Sequence, residues 1–181
     1  MANPEIAKPV KLFAAVLCAS SPDHETACQK MIPIWGPVDF RGDNHVFDVT
    51  DYYKLEMGEN LSRTIIAFHR LVRPEILVEA KLTCNALEDE TRTPQGRRVN
   101  LDIGYLDHNK LVLASAKEAG QKIYLGKGIW ADFVARFSKG AYQPFEWTFF
   151  DFRDGRYQTE LLKIRSIYLA QLRDLKKEEV W

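Results

Sequence analysis

No excess of either charge sign marks this chain: 25 lysines and arginines stand against 25 aspartates and glutamates. Such a balance steers neither nucleic acid nor an anionic membrane towards the molecule as a whole, so any contact of that kind must be local. Long hydrophobic runs are missing too. Nothing approaches the ~18 to 20 consecutive apolar residues of a membrane span, although 46% of the residues are apolar, and the chain reads as soluble. Cysteine is scarce and odd in number: Cys18, Cys28 and Cys84 form no close pair, which suits reduced thiols in a cytoplasmic protein. There is no G-x-x-x-x-G-K-[ST] loop to cradle phosphates and no G-x-S-x-G elbow to present a serine nucleophile. Asn109-Lys110 followed by Ser115-Ala116-Lys117 therefore echoes guanine-recognition elements by chance. Internal repeats and low-complexity linkers are absent. A length of 181 residues is ample for one core and cramped for two, so residues 1–181 are expected to form a single domain.

What is present is a strand and helix punctuation that runs the length of the chain. Residues 1–9 read as a flexible tail. Val10–Ala19 is a continuous apolar strand, preferred over a secretory signal because its front is not strongly basic and no small-residue cleavage site follows. Ser21 as N-cap and Pro22 at the first helical position open a helix to about Ile34. Val38–Thr50 reads as extended, with a turn at Arg41-Gly42-Asp43-Asn44, and Asp51–Gly58 as a compact loop or helical turn. A strand over Arg63–Val72 and a helix from Pro74 to about Asp89 complete a strand-helix-strand-helix half over residues 10–95. Residues 96–153 read as a β-meander, with strands at Val99–Tyr105, Lys110–Lys117, Lys122–Leu125 and Ile129–Phe137. The aromatic run Phe145–Phe152 is either a short strand or a packed loop. A last helix, from Tyr157 within residues 154–181, carries Leu161, Ile164, Tyr168, Leu172 and Leu175 at helical spacing. The expected fold is α+β: a ferredoxin-like or related βαββαβ core, extended by the antiparallel meander and the C-terminal helix.

The chemistry sits on the meander. In Val99–Tyr105 one strand face carries Val99, Leu101, Ile103 and Tyr105, the other Asn100, Asp102 and Gly104. Asparagine, aspartate and glycine fit a pleated solvent face poorly. Either this face meets a ligand that approaches the backbone at Gly104, or the segment is bulged. Neighbouring strands add Ser115 and Lys117, Lys122 and Tyr124, and Asp132 and Arg136, each pair on one face of its own strand. Brought together, Lys117, Lys122 and Arg136 neutralise an anion, Asn100 and Ser115 orient it, and Asp102 with Asp132 act as a base or hold a divalent cation such as Mg. Tyr52 and Glu56, four apart in the Asp51–Gly58 segment, are candidates for the rim. The competing reading is a lattice of cross-strand ion pairs on an exposed sheet. His24 and Cys28, also four apart, make at most half a metal site, because His45, His69 and His108 lack neighbours at ligand spacing.

The functional expectation is thus a binding protein or enzyme for a small phosphorylated or nucleotide-like anion. Its rival is a non-catalytic interaction module that presents the Phe145–Phe152 aromatics, the terminal Trp181 and the last helix to a partner protein; full burial of Trp147, Phe149 and Phe150 would remove its main support. Single-stranded nucleic acid binding through Arg97, Arg98, Tyr105, Tyr124 and Trp130 has neither net charge nor an RNP-like motif behind it.

Several blocks bring a family to mind: Tyr52-Tyr53-Lys54-Leu55-Glu56-Met57-Gly58 with Leu61 and Arg63, Arg98 to Leu106, Leu113-Ala114-Ser115-Ala116-Lys117, Ile123-Tyr124-Leu125, Gly128-Ile129 and Trp147-Thr148. Together they resemble the prokaryotic family called domain of unknown function 4416, over about Lys11 to Leu172. The family pattern has proline at Ile103, threonine at Ala116 and a histidine-arginine pair at Gln121-Lys122, where this chain departs from it. The resemblance implies no established activity. Some members carry an automatic label of GTP-binding protein, for which this sequence has no phosphate loop.

Overall fold

Every one of the nine residues Val10–Cys18 is buried, because that strand lies inside a sheet with helices over both faces. A computed structural model describes residues 3–178. The elements are β1 (Val10–Cys18), α1 (Ser21–Trp35), β2 (Val38–Arg41), β3 (His45–Val46), α2 (Lys54–Met57), β4 (Ser62–Val72), a 3-10 turn at Pro74–Ile76, α3 (Leu77–Glu90), β5 (Val99–Leu106), β6 (Lys110–Ser115), β7 (Ile123–Gly126), β8 (Ile129–Ser138), β9 (Ala141–Pro144), α4 (Phe150–Arg153) and α5 (Gln158–Glu178). They form an α+β fold on a nine-stranded sheet of order β2-β4-β1-β5-β6-β8-β7, with β3 beside β4 and β9 beside β8. All pairings are antiparallel. In the first half the strand order is β2-β4-β1-β5, with α1 following β1 and α3 preceding β5.

Alternation along β1 feeds two cores. Leu12, Ala14, Val16 and Cys18 pack with Met31 and Trp35 of α1 and Leu77, Ala80 and Cys84 of α3. Phe13 and Ala15 pack with Leu161, Ile164 and Tyr168 of α5. A third, small cluster of Leu17, Phe47, Met57 and Leu61 closes one end. The exception in β1 is Lys11, wholly buried, with its ammonium 2.5 Å from Asp39 Oδ2 and 2.8 Å from Gln171 Oε1. Burial pulls its pKa down, against the pull of Asp39. It ties β1 to β2 and to α5.

Two local expectations need correction. The α1 cap is Ser20, one residue earlier than expected: its side chain accepts from the Asp23 amide. Phe145–Phe152 is no strand, since the chain turns and then makes the helical turn α4. The actual strand there, β9, precedes it and pairs Ala141–Pro144 with Ala135–Ser138. Residues 3–9 carry no helix or strand, and the Tyr168 hydroxyl donates to the Pro9 carbonyl at 3.0 Å. Trp181 lies outside the described residues.

Candidate functional site in the split between two strands

The central strands do not stay together. β6 pairs with β5 only over Gly104–Leu106, and the first half of β5 runs on beside β1 alone. Leu101 then presents backbone groups with no strand to take them, and buried peptide groups must find partners. Helix α3 supplies them: the Leu101 amide donates to Glu88 Oε1 at 2.7 Å, and Lys81 Nζ donates to the Leu101 carbonyl at 2.9 Å. Glu88 and Lys81 are both buried. Burial raises the Glu88 pKa, with Lys81, the Leu101 amide and Arg97 opposing it. Gly104 marks the branch point. A Cβ there would meet the Val112 carbonyl oxygen at 2.3 Å and Leu113 Cδ2 at 2.8 Å, so the close backbone approach expected at this glycine is that of β6.

The split opens a cleft of about 190 Å³. Asn100 and Asp102 come from β5, Ser115 and Lys117 from the end of β6 and just beyond, Lys122 from the link to β7, and Asp132 from β8. Register explains the meeting: Asp132 lies opposite Leu113, and Leu113 opposite Gly104, so these residues share one face. Tyr52 and Phe149, both more than half exposed, stand at its border.

Within it, Lys122 Nζ donates to Ser115 Oγ at 2.9 Å and stands 3.6 Å from Asp132 Oδ2. Lys117 Nζ is 3.1 Å from the Tyr52 hydroxyl and 4.4 Å above its ring, and has no carboxylate partner among the described residues. Asn100 accepts from Arg97 at 3.1 Å through Oδ1. Its Nδ2 and the Oδ1 of Asp132 are buried and have no partner among the described residues. Burial raises the Asp132 pKa, and Lys122 opposes the shift. An acid whose folded pKa is raised is destabilised by ionising, so its contribution to stability falls as pH rises from about 4 through the raised midpoint. A carboxyl-carbon NMR titration is expected to place Asp132 above the ordinary aspartate midpoint. A midpoint at or below that of a free aspartate would contradict this.

Other expected site residues stand elsewhere. Arg136 is exposed, pairs in register with Lys110 and Gln143, and lies four residues along β8 from Asp132, about 13 Å at strand rise; it does not border the cleft. Glu56 also stays outside. It holds Arg97 from behind by two bonds of 2.8 Å, and Arg97 borders the cleft. That ion pair lowers the Glu56 pKa. Asp102 is engaged rather than free: its Oδ2 accepts from Arg63 at 2.9 Å, and Arg63 also binds the fully buried Asp151. As for a divalent cation, no three His, Cys, Asp or Glu side chains gather to hold one among the described residues.

Residue order did not assign Lys81, Glu88, Arg97 or Arg63 to this site. A signal existed for the first two: Lys81 and Glu88, seven apart, fall among Leu77, Ala80, Cys84 and Leu87 on the buried stripe of α3. Charges placed there need a specific partner.

Comparison with known proteins adds membership without activity. No curated protein and no solved structure matches the chain, so its core stands on its own strand order and not on a ferredoxin-like relative. The profile of one family, described as domain of unknown function (DUF4416), matches residues 8–168, which takes in every element from β1 to most of α5, and the chain belongs to that family.

Proposed function

We propose that the β5–β6 cleft binds the phosphate or carboxylate group of a small molecule, as a binding site or as the site of a reaction on that molecule. The observation that carries this reading is the pair of buried groups without a partner among the described residues, Asn100 Nδ2 and Asp132 Oδ1, on one cleft beside Lys117, which has no carboxylate partner among those residues either. Buried polar atoms without partners are rare in folded proteins and call for an occupant. In this reading Lys117 and Lys122 counter the anion and Asn100 donates to it. Asp132, with its raised pKa, donates when protonated and serves as a general base when not. The role expected of Arg136 falls away, and Asp102 anchors the wall through Arg63.

Size limits the ligand. At about 30 Å³ per water, the cleft's 190 Å³ holds roughly six waters. That suits one anionic group and little more, so the remainder of a sugar phosphate or nucleotide would lie outside against Tyr52 and Phe149. A thermal-shift panel of inorganic phosphate, sugar phosphates, nucleoside monophosphates and small dicarboxylates tests the reading. At least one is expected to raise Tm in proportion to the logarithm of its concentration. No stabilisation by any of them at concentrations near 10 mM would count decisively against a ligand site.

The interaction module keeps one specific observation. Trp147, Phe149 and Phe150 are 40%, 56% and 54% exposed, not sunk in the core. Sedimentation of a strict monomer at high concentration would remove self-association from that reading. Arg97 and Arg98, invoked for nucleic acid, are taken up by Glu56 with Glu88 and by Asp23. The three cysteines are free and buried, which supports a reducing, cytoplasmic setting.

A further inference from the structure

A second and larger cleft, about 690 Å³, shares no lining residue with the first and falls within the usual size of small-molecule sites. Ser20 and His24 at the start of α1, Arg41 and Asn44 around the β2–β3 turn, and Ser62 and Thr64 of β4 border it. His24 is 9% exposed. Its Nδ1 lies 3.6 Å from Cys28 Sγ, the pairing that sequence spacing singled out and no metal explains. Burial pushes the Cys28 thiol up to about 11, so the sulfur keeps its proton at neutral pH and Nδ1 is placed to accept it. Burial and Arg41 disfavour the charged imidazole, and with Nδ1 as acceptor the ring proton stands on Nε2. That Nε2–H is buried and has no partner among the described residues.

The groups around it are mostly donors. Arg41 gives one N–H to Glu25 at 3.1 Å and keeps the rest of its fork. Asn44 accepts from the Thr64 hydroxyl through Oδ1 at 3.2 Å, which leaves its amide N–H groups. Among the described residues, Glu25 is the only carboxylate on the border, and it faces Arg41. Asp23, in the first turn of α1, is held by Arg98 through two bonds of 3.0 Å and does not border the cleft.

We propose that this cleft is a second ligand site, which takes a small molecule by an oxyanion group, carboxylate or phosphate, held by His24 Nε2–H, the Arg41 guanidinium and the Asn44 amide. The site does not depend on the reading of the β5–β6 cleft. An oxyanion supplies the acceptor that the buried imidazole lacks and meets Arg41 in the geometry its planar fork favours.

The test is an imidazole nitrogen NMR titration of the full-length chain, with inorganic phosphate and succinate as separate probes. His24 is expected in the Nε2–H tautomer, and its Nε2 signal is expected to move saturably with at least one probe, at a midpoint of about 1 to 10 mM. Arg41→Gln, at a largely exposed side chain, is expected to weaken that midpoint about tenfold. Lys163→Gln, which removes the same charge from an exposed position on α5, is expected to leave it unaltered. Which probe saturates decides between phosphate and carboxylate. An Nδ1–H tautomer, no saturable shift with either probe, or an equal shift in Arg41→Gln would overturn the proposal.

Discussion

Replacement of Arg63 by leucine is expected to lower the stability of the chain by about 3 to 5 kcal/mol, the cost of leaving buried charges without their partner. At 2 to 4 °C per kcal/mol for a chain of this size, Tm falls by about 10 °C. The guanidinium is 3% exposed. It binds Asp102 at one nitrogen and Asp151 at the other, and lies 4.6 Å from the Phe47 ring centre. Burial works against its charge, yet Asp102 and Asp151 together hold its pKa above the ordinary arginine value. Asp151 is fully buried and accepts a second bond, 3.0 Å, from the Tyr157 hydroxyl. One side chain therefore joins β4, β5, α4 and the start of α5. Arg63→Leu leaves Asp151 unpaired in a dry place, whereas Arg63→Leu with Asp151→Leu removes the two buried ions, leaves only the part-exposed Asp102, and is expected to recover most of the loss. Denaturant unfolding of the unaltered chain and the two variants decides it. A cost below about 1 kcal/mol for the single variant would mean that the pair is solvated and that Asp102 is not anchored as described.

Glu88→Leu is expected to cost a similar 3 to 5 kcal/mol, for a reason tied to the opening of the sheet. Glu88 is 4% exposed. It accepts the Leu101 amide through one oxygen and Arg97 through the other, each at 2.7 Å, with the Lys81 ammonium 3.8 Å away. The leucine would strand two donors, a buried peptide N–H and one edge of a guanidinium, and would take from the buried Lys81 ammonium the carboxylate 3.8 Å away. Hydrogen exchange gives the local readout. The Leu101 amide is expected to lose protection first, while Ala15 and Val16, paired on both sides within β1, stay slow. If Leu101 in the variant exchanges no faster than Ala15, α3 does not replace the missing strand, and the account of the split fails.

Much of this was legible from residue order. Alternation along Val99–Tyr105 correctly separated Leu101 and Ile103, which enter the core, from Asn100 and Asp102, which enter the cleft. The poor strand formers on that face were the clue that no ordinary solvent face lay there. Ser115, Lys122 and Asp132 do meet, but not through a simple meander: β6 and β7 are joined by a short link yet are not neighbours, because β8 lies between them and brings Asp132 opposite Leu113. Arg136 failed because β8 is bulged opposite Leu111 and Val112, which breaks the alternation: Asp132 lies opposite Leu113 and Arg136 opposite Lys110, on the other face. Arg63 was invisible for another reason: it opens a strand, where a charge is ordinary, and its partners lie 39 and 88 residues away. The departure of β6 from β5 leaves no mark in β6. It is written in α3, as two charges on an apolar stripe, and in Gly104, whose missing side chain lets β6 cross.

The site itself is tested most directly by calorimetric titration of whichever panel compound raises Tm most, into the unaltered chain, Lys122→Gln and Arg136→Gln. Lys122 is 9% exposed at its side chain and sits between Ser115 and Asp132, so the glutamine is expected to weaken binding by about 10- to 100-fold, the worth of one charged hydrogen bond. Arg136→Gln is expected to bind as the unaltered chain does. Equal affinity in all three proteins, or a loss at Arg136 in place of Lys122, would contradict a ligand seated where β5 and β6 part.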